Sequence, residues 1–206
     1  MFRLYVIVAF FAVLLLASCS QQANVTKAST NSGEETSARE SGPVSGKTAF
    51  WEMYRSAHAW SPDLVPLSLE SKSLNGVKNA EGKAEIWSAT FGSMSKHQAA
   101  TFSYAVAAHS PDISKGVTAG NPVPWSGPAR EALPFDSSDL SIDSDEAYKT
   151  ALAKAEPWVK AHPGREVSLT LGNASRFPGP VWYVLWGDKK SGYAVFVNAK
   201  TGAVIK

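Results

Sequence analysis

The 206 residues, of which 44% are hydrophobic and 18% charged, have the composition of a globular protein and exclude a collagen-like or wholly disordered chain. The formal net charge is +2, and it becomes +1 if the segment carrying Arg3 is removed. So small a charge gives no basis for binding to nucleic acid or to an anionic membrane surface.

The first residues have the pattern of an exported protein. Arg3 is followed by an unbroken apolar run over residues 4–17, which is shorter than the ~20 residues of a membrane-spanning helix and typical of a signal peptide. The run ends in Leu16-Ala17-Ser18-Cys19, which resembles a bacterial lipobox, where the Cys thiol is acylated before cleavage. The resemblance implies a signal peptide over residues 1–18 and a lipid anchor on Cys19. An uncleaved anchor helix with an incidental cysteine is the alternative.

Residues 19–45 are predicted to be a flexible tether, because they are rich in Ser, Thr, Gln, Asn, Gly and Glu and have little apolar surface to bury. Cys19 is the single cysteine of the chain, so no internal disulfide is possible. The folded part must therefore be stabilised by its hydrophobic core alone.

Two segments predict amphipathic helices of the same pattern. Counting backward from Trp60 and Trp158 without a gap aligns the apolar stripes of the two helices. The first stripe is Ala49, Phe50, Met53, Tyr54 and Ala57, and the second is Ala147, Tyr148, Ala151, Leu152 and Ala155. Asp143 and Glu146 predict a capping box at the start of the second helix.

Each predicted helix is followed by three predicted strands. The first strand alternates at Val65, Leu67 and Leu69 in one copy and at Val167, Leu169 and Leu171 in the other. Two hairpins then contain Trp87 with Gly92, and Trp182 with Gly187, at the same spacing. The sequence therefore predicts an α+β fold of two tandem units, each with one helix on a small antiparallel sheet of three to four strands.

The predicted boundaries follow from composition. The first helix-plus-sheet unit covers residues 46–115 and the second covers residues 137–206. Residues 116–136, which are rich in Pro and Gly, are predicted to be a linker.

The second unit contains three short motifs: Asp143-Ser144-Asp145-Glu146-Ala147 at the helix start, Val181-Trp182-Tyr183-Val184, and the run from Tyr193 to a Thr201-Gly202 turn. In these motifs the unit resembles a PepSY domain. Asn198 stands where the family usually has Asp, and the first unit resembles the family more faintly because it lacks the Thr-Gly turn. The resemblance implies a non-catalytic domain of the kind found in peptidase propeptides and envelope proteins, which binds or restrains partners, often peptidases.

Two patterns that suggest chemistry have simpler explanations. Ser93-Met94-Ser95-Lys96 fits the Ser-x-x-Lys pattern of penicillin-binding enzymes, but it falls in a predicted hairpin turn rather than at a helix start. His58, His97, His109 and His162 lack paired metal-ligand spacing, and acylated Cys19 could not complete a zinc site. We therefore predict no catalytic residues, no metal and no cofactor.

Exposed tryptophans are the remaining candidates for a binding surface. Trp60, Trp87, Trp158 and Trp182 have the spacing of core residues. Trp51, Trp125 and Trp186 fit the apolar patterns less well and are the candidate binding residues, with burial as an equal alternative for each.

We therefore expect a non-enzymatic, membrane-anchored envelope lipoprotein that binds a protein or peptide, with an envelope protein or a peptidase as the partner and no nucleic acid. Addition of a strand to an open sheet edge is the expected mode of binding. Because Ser20 and not Asp follows Cys19, the lipobox resemblance implies the periplasmic face of the outer membrane in a Gram-negative host, and otherwise the outer face of the plasma membrane. A structural envelope component without a discrete ligand is the alternative, and a serine hydrolase using Ser93 and Lys96 is a more remote one.

Overall fold

The computed structural model describes residues 42–74 and 79–205, so the predicted signal peptide, Cys19 and most of the predicted tether lie outside the described residues. The described residues form two α-helices and eleven β-strands. In chain order these are β1 (Val44–Ser45), α1 (Gly46–Trp60), β2 (Leu64–Lys72), β3 (Lys83–Ala84), β4 (Ile86–Ser93), β5 (Gln98–Ala105), β6 (Gly116–Ala119), β7 (Val123–Pro124), α2 (Ser144–Ala161), β8 (Val167–Gly172), β9 (Val181–Trp186), β10 (Tyr193–Asn198) and β11 (Val204–Ile205). A short 3-10 helix, Ser137–Asp139, precedes α2.

Helix α1 forms where the apolar stripe predicts it. The hydroxyl of Ser45 accepts the backbone N–H of Thr48 and caps the first turn. Ala49, Met53 and Ala57, each one turn of helix from the next, are fully buried.

Helix α2 has the predicted capping box. The Asp143 carboxylate accepts backbone N–H groups of the first turn, and the Glu146 carboxylate accepts the backbone N–H of Asp143. Ala147, Ala151 and Ala155 are fully buried and form the face that packs on the sheet. The small Ala side chains let the helix approach the strands closely.

Nine strands form one antiparallel sheet in the order β11, β10, β9, β8, β2, β4, β5, β6, with β7 also paired to β5. The central pair joins strands that are distant in the chain, with Leu69 of β2 opposite Leu171 of β8. β6 and β7 lie within the segment predicted as a linker. β1 and β3 form a separate two-stranded sheet.

Both helices cover the same face of the sheet. Ala89, Leu69, Leu171 and Trp182 are registered neighbours across the four strands β4, β2, β8 and β9. All four are buried in one hydrophobic core that also contains the inner faces of α1 and α2. The α+β class is therefore confirmed, with two helices and an antiparallel sheet.

Two tryptophans hold the starts of the two helices in the same way. The indole N–H of Trp87 donates to the carbonyl of Val44, and that of Trp182 donates to the carbonyl of Ile142, each at 3.0 Å. Each accepting residue directly precedes the N-cap of its helix. The two indoles also touch edge to face, with ring centroids 6.3 Å apart.

The two helix N-termini meet at one carboxylate. Asp143 accepts the hydroxyl of Ser45 at 2.6 Å and the backbone N–H of Lys47 at 2.9 Å, in addition to N–H groups of its own helix. The hydroxyl of Ser144 accepts the N–H of Gly46 at 2.7 Å and donates to the carbonyl of Gly82 at 2.6 Å. One acidic side chain therefore caps both helices.

No helix among the described residues combines the length and the hydropathy needed to cross a membrane.

Candidate functional site

The face of the sheet away from the helices carries two kinds of surface. A single row of registered residues crosses the sheet on this face, because directly paired residues point to the same side. From β10 to β6 the row reads Phe196, Tyr183, Thr170, Glu70, Ser88, Ser103 and Thr118. The β9–β10 side of this face is therefore aromatic, and the β4–β6 side carries hydroxyl residues, of which Ser88 is buried.

An aromatic cleft of about 450 Å³ lies over β8, β9 and β10 on this face. Tyr183 and Phe196 form its floor, with ring centroids 5.1 Å apart. Phe177 forms a wall, with its centroid 5.0 Å from that of Phe196. The Arg176 guanidinium lies 4.7 Å from the centroid of the Phe177 ring. The volume falls within the ~300–1,000 Å³ range of small-ligand sites.

Part of the predicted linker supports one wall of the aromatic cleft. The N–H of Leu133 donates to the carbonyl of Asn173, and the side-chain amide of Asn173 donates to the carbonyl of Pro134. The N–H of Ser175 donates to the carbonyl of Arg130 at 2.8 Å. These bonds hold the loop after β8 in place above the sheet, which gives the cleft a defined shape.

The β6 edge, formed by Gly116–Ala119, is the end of the sheet on the other side. A hollow of about 450 Å³ lies on its helix side, between Trp60, Phe102 and Val117. A second hollow of about 340 Å³ lies on the opposite side, where Thr118 is one of the lining residues. Hollows therefore flank the same edge strand on both faces.

Backbone groups of the β6 edge point away from the sheet. The N–H of Gly120 donates to the carbonyl of Thr101 at 2.8 Å, so Gly120 faces β5. Because the backbone groups of successive residues in an antiparallel strand alternate in direction, those of Val117 and Ala119 face outward. Charged side chains usually protect an edge strand from pairing with another chain, and β6 contains none.

The three candidate tryptophans lie in different places. Trp51 is 38% exposed on α1 and contacts Tyr54 edge to face. Trp125 is half-buried, and its ring occupies the space that a side chain at Gly92 would need. Trp186 is only 3% exposed and packs in the core near Tyr148, so its indole presents no surface to a partner.

Ser93 forms part of the β4–β5 turn. Its hydroxyl donates to Asp63 at 2.8 Å and lies 2.9 Å from the hydroxyl of Ser61, and Ser93 is fully buried. Hydrogen bonds from the Ser61 hydroxyl, the Ser95 backbone N–H and the Ser93 hydroxyl hold the pKa of Asp63 well below its usual range. A carboxylate with so low a pKa is a poor proton acceptor. Lys96 is exposed, and its backbone N–H donates to Ser93.

Across residues 42–74 and 79–205, no group of three or more His, Cys, Asp or Glu side chains has an arrangement that could hold a metal ion. Sequence patterns missed the aromatic cleft. Its floor residues Tyr183 and Phe196 alternate with buried residues of β9 and β10, and this alternation was the available signal.

No protein-family profile matches the chain. No curated protein matches it either. Among solved structures, the chain is similar to the crystal structure of a candidate lipoprotein from Clostridium difficile 630, at 10% sequence identity and a TM-score of 0.46. The likeness covers 77% of this chain and 90% of that one. A likeness of this degree does not define a family.

Proposed function

We propose that this chain is a lipid-anchored envelope protein that binds a partner polypeptide without catalysing a reaction, by accepting an extended segment as an additional strand on the β6 edge. The observation that supports this function is the edge itself, with outward backbone groups at Val117 and Ala119 and hollows on both faces. Successive side chains of an added strand point to opposite faces, so they would enter the two hollows alternately.

The side chains around the edge indicate the kind of segment that fits. The helix-side hollow is lined by Trp60, Phe102, Val117 and Pro122, so it suits an apolar side chain. The opposite hollow includes Ile113, Ser114 and Thr118 and suits a small or mixed one. We therefore propose a partner segment in which apolar residues alternate with small polar residues, as expected of an envelope protein or a peptidase.

The anchor belongs to the proposal through the sequence. Acylation of Cys19 would place the folded part at a membrane surface, joined through residues 20–45. Labelling cells with an alkyne analogue of palmitate should tag the chain, and Cys19→Ser should abolish the tag and release the protein from membranes. Labelling of the Cys19→Ser variant would contradict the anchor.

We also propose that the fold consists of two PepSY-like units, whose first strands pair at the centre of the sheet. In support, the two N-caps, Ser45 and Asp143, are separated by the same number of residues as Trp60 and Trp158. The equal hydrogen bonds of Trp87 and Trp182 to the residues before these caps support it further. A peptidase is then one natural class of partner, because PepSY domains are found in peptidase propeptides.

The proposed function is tested by crosslinking in intact cells. A photoreactive amino acid placed at Lys115, which is exposed beside the β6 edge, should capture a discrete protein species, whereas one at the exposed Lys154 on α2 should not. Ala119→Pro removes one outward N–H while leaving the N–H groups that face β5, so it should abolish the crosslink. Ala119→Thr keeps the N–H and should preserve the crosslink.

Retained crosslinking in Ala119→Pro, with an unchanged melting temperature, would refute strand addition at β6. Recovery of only lipids and random neighbours, together with altered envelope integrity in a deletion strain, would instead support a structural component without a discrete ligand.

A further inference from the structure

The aromatic cleft has no part in strand addition at β6. It lies over β8, β9 and β10, at the other end of the sheet. Its floor and wall are aromatic, and charged side chains lie at its margin. This combination differs from the rest of the exposed sheet face, where Ser and Thr hydroxyls predominate.

The margin of the cleft carries more positive than negative charge. Arg176, Lys189 and Glu131 contribute two cations and one anion. Glu131 pairs with Arg176, and both side chains are more than half exposed, so solvent keeps the pair weak and replaceable. Lys189 is exposed and has no ion-pair partner among the described residues.

The acid beside Lys189 in the chain is already engaged. The carboxylate of Asp188 accepts the backbone N–H groups of Lys190 and Ser191 and the hydroxyl of Ser191. Hydrogen bonds from Ser191 and Lys190 also hold the pKa of Asp188 below its usual range. The cation of Lys189 is therefore available to an anionic group in the cleft.

The apolar part of the cleft complements these charges. Tyr183, Phe196 and Phe177 present ring surfaces on which an aromatic or branched apolar side chain can pack. A cationic ligand would be repelled by Arg176 and Lys189, although aromatic rings alone would attract one. The aromatic rings and the cationic margin together therefore favour a ligand in which an apolar group is attached to a carboxylate.

We infer that the aromatic cleft binds the carboxyl terminus of a polypeptide whose last residue is apolar. The last side chain packs against Tyr183, Phe196 and Phe177. The terminal carboxylate binds Lys189 and replaces Glu131 at Arg176. A volume of about 450 Å³ leaves room for backbone atoms beside a single side chain.

The test compares two peptides that differ only in the C-terminal group, which is a charged carboxylate in one and a neutral carboxamide in the other. The probe is acetyl-alanyl-alanyl-phenylalanine, titrated as the free acid and as the C-terminal amide into the purified full-length protein by calorimetry. The acid should bind, and the amide should bind about tenfold more weakly, because a charge-assisted hydrogen bond is lost.

Variants identify the groups responsible. Lys189→Gln should weaken binding of the acid several-fold and reduce the preference for acid over amide, because Arg176 alone then contacts the carboxylate. Glu131→Gln frees Arg176 and should strengthen binding of the acid alone. Lys190→Gln, at the exposed neighbouring lysine, is the matched control and should change neither titration.

Equal affinity for acid and amide, or no binding of the acid, would overturn the inference. Binding of the neutral sugar chitotriose in preference to the acid would overturn it as well. Ala119→Pro should leave peptide titration unchanged, so this site and the proposed strand addition at β6 can fail independently. Loss of peptide binding in Ala119→Pro would place the peptide at the β6 edge and refute the cleft.

Discussion

Replacement of Asp143 by Ala should destabilise the protein more than loss of an ordinary helix cap. The carboxylate accepts hydrogen bonds at the starts of both helices, including those from Ser144, Lys47 and Ser45 at 2.6, 2.9 and 2.6 Å. An Ala side chain accepts none of them. The change therefore leaves two helix N-termini, and not one, without their shared partner.

The expected cost follows from these bonds. Loss of the cap of α2 contributes about 1 kcal/mol, within the usual ~0.5–2 kcal/mol for an N-cap. The bonds to Lys47 and Ser45 are charge-assisted but part-buried, so they contribute about 1–2 kcal/mol more. We expect a total loss of about 2–3 kcal/mol in the free energy of unfolding.

Urea denaturation of the wild type, Asp143→Ala, Ser45→Ala and the double variant measures this cost. The two single changes should couple, because either one removes the hydrogen bond between Ser45 and Asp143. Asp136 caps only the short 3-10 helix. Asp136→Ala should therefore lower the free energy of unfolding less than Asp143→Ala does. A cost for Asp143→Ala below about 1 kcal/mol, or full additivity with Ser45→Ala, would refute the shared cap.

Three further changes test other contacts. Asp63, whose pKa is lowered by hydrogen bonds from Ser61, Ser95 and Ser93, stabilises the folded state at pH values above its usual pKa of ~3.9, and this contribution is lost as the pH falls below that value. Between pH 6 and pH 2, the urea midpoint of Asp63→Asn should therefore fall less steeply with decreasing pH than that of the wild type. The same dependence on pH in both proteins would contradict the stabilising role of the Asp63 carboxylate. Gly46→Ala should lower the free energy of unfolding by about 1–3 kcal/mol, because the added Cβ would lie 2.7 Å from the Trp182 ring. Gly179→Ala, where a Cβ meets open space, is the control. Equal melting temperatures for the wild type and Gly46→Ala would show that the rings move aside. Trp87→Phe and Trp182→Phe each lose a 3.0 Å hydrogen bond and should cost similar free energies in urea denaturation. A difference above about 2 kcal/mol would contradict the proposed equivalence of two units.

Periodic elements were predictable because their spacing reflects local geometry. Ala49, Met53 and Ala57 recur at helical intervals and are fully buried in α1. The same reasoning applies to strands. Trp182 and Trp186 stand an even number of residues apart in β9, so alternation places both on the covered face. That alternation was the signal for burial of Trp186.

The features that the sequence did not reveal depend on distant residues. Ser45 and Asp143 are 98 positions apart, and no local pattern indicates that one carboxylate caps both helices. β6 has only four residues, Gly116–Ala119, and a run of this length is too short to show a reliable period. The aromatic cleft likewise depends on the loop after β8 meeting residues 130–134.

The central strand pair of the sheet joins β2 from the first half of the chain to β8 from the second half, which is synthesised later. β2 is complete long before β8 exists, so a growing chain presents the Leu69 strand with one side unpaired. Such long-range pairing slows folding, because a large loop must close before the contact forms. The central pair of strands therefore forms late in folding. Until β8 is synthesised, the unpaired edge of β2 can form a wrong strand pair with another chain.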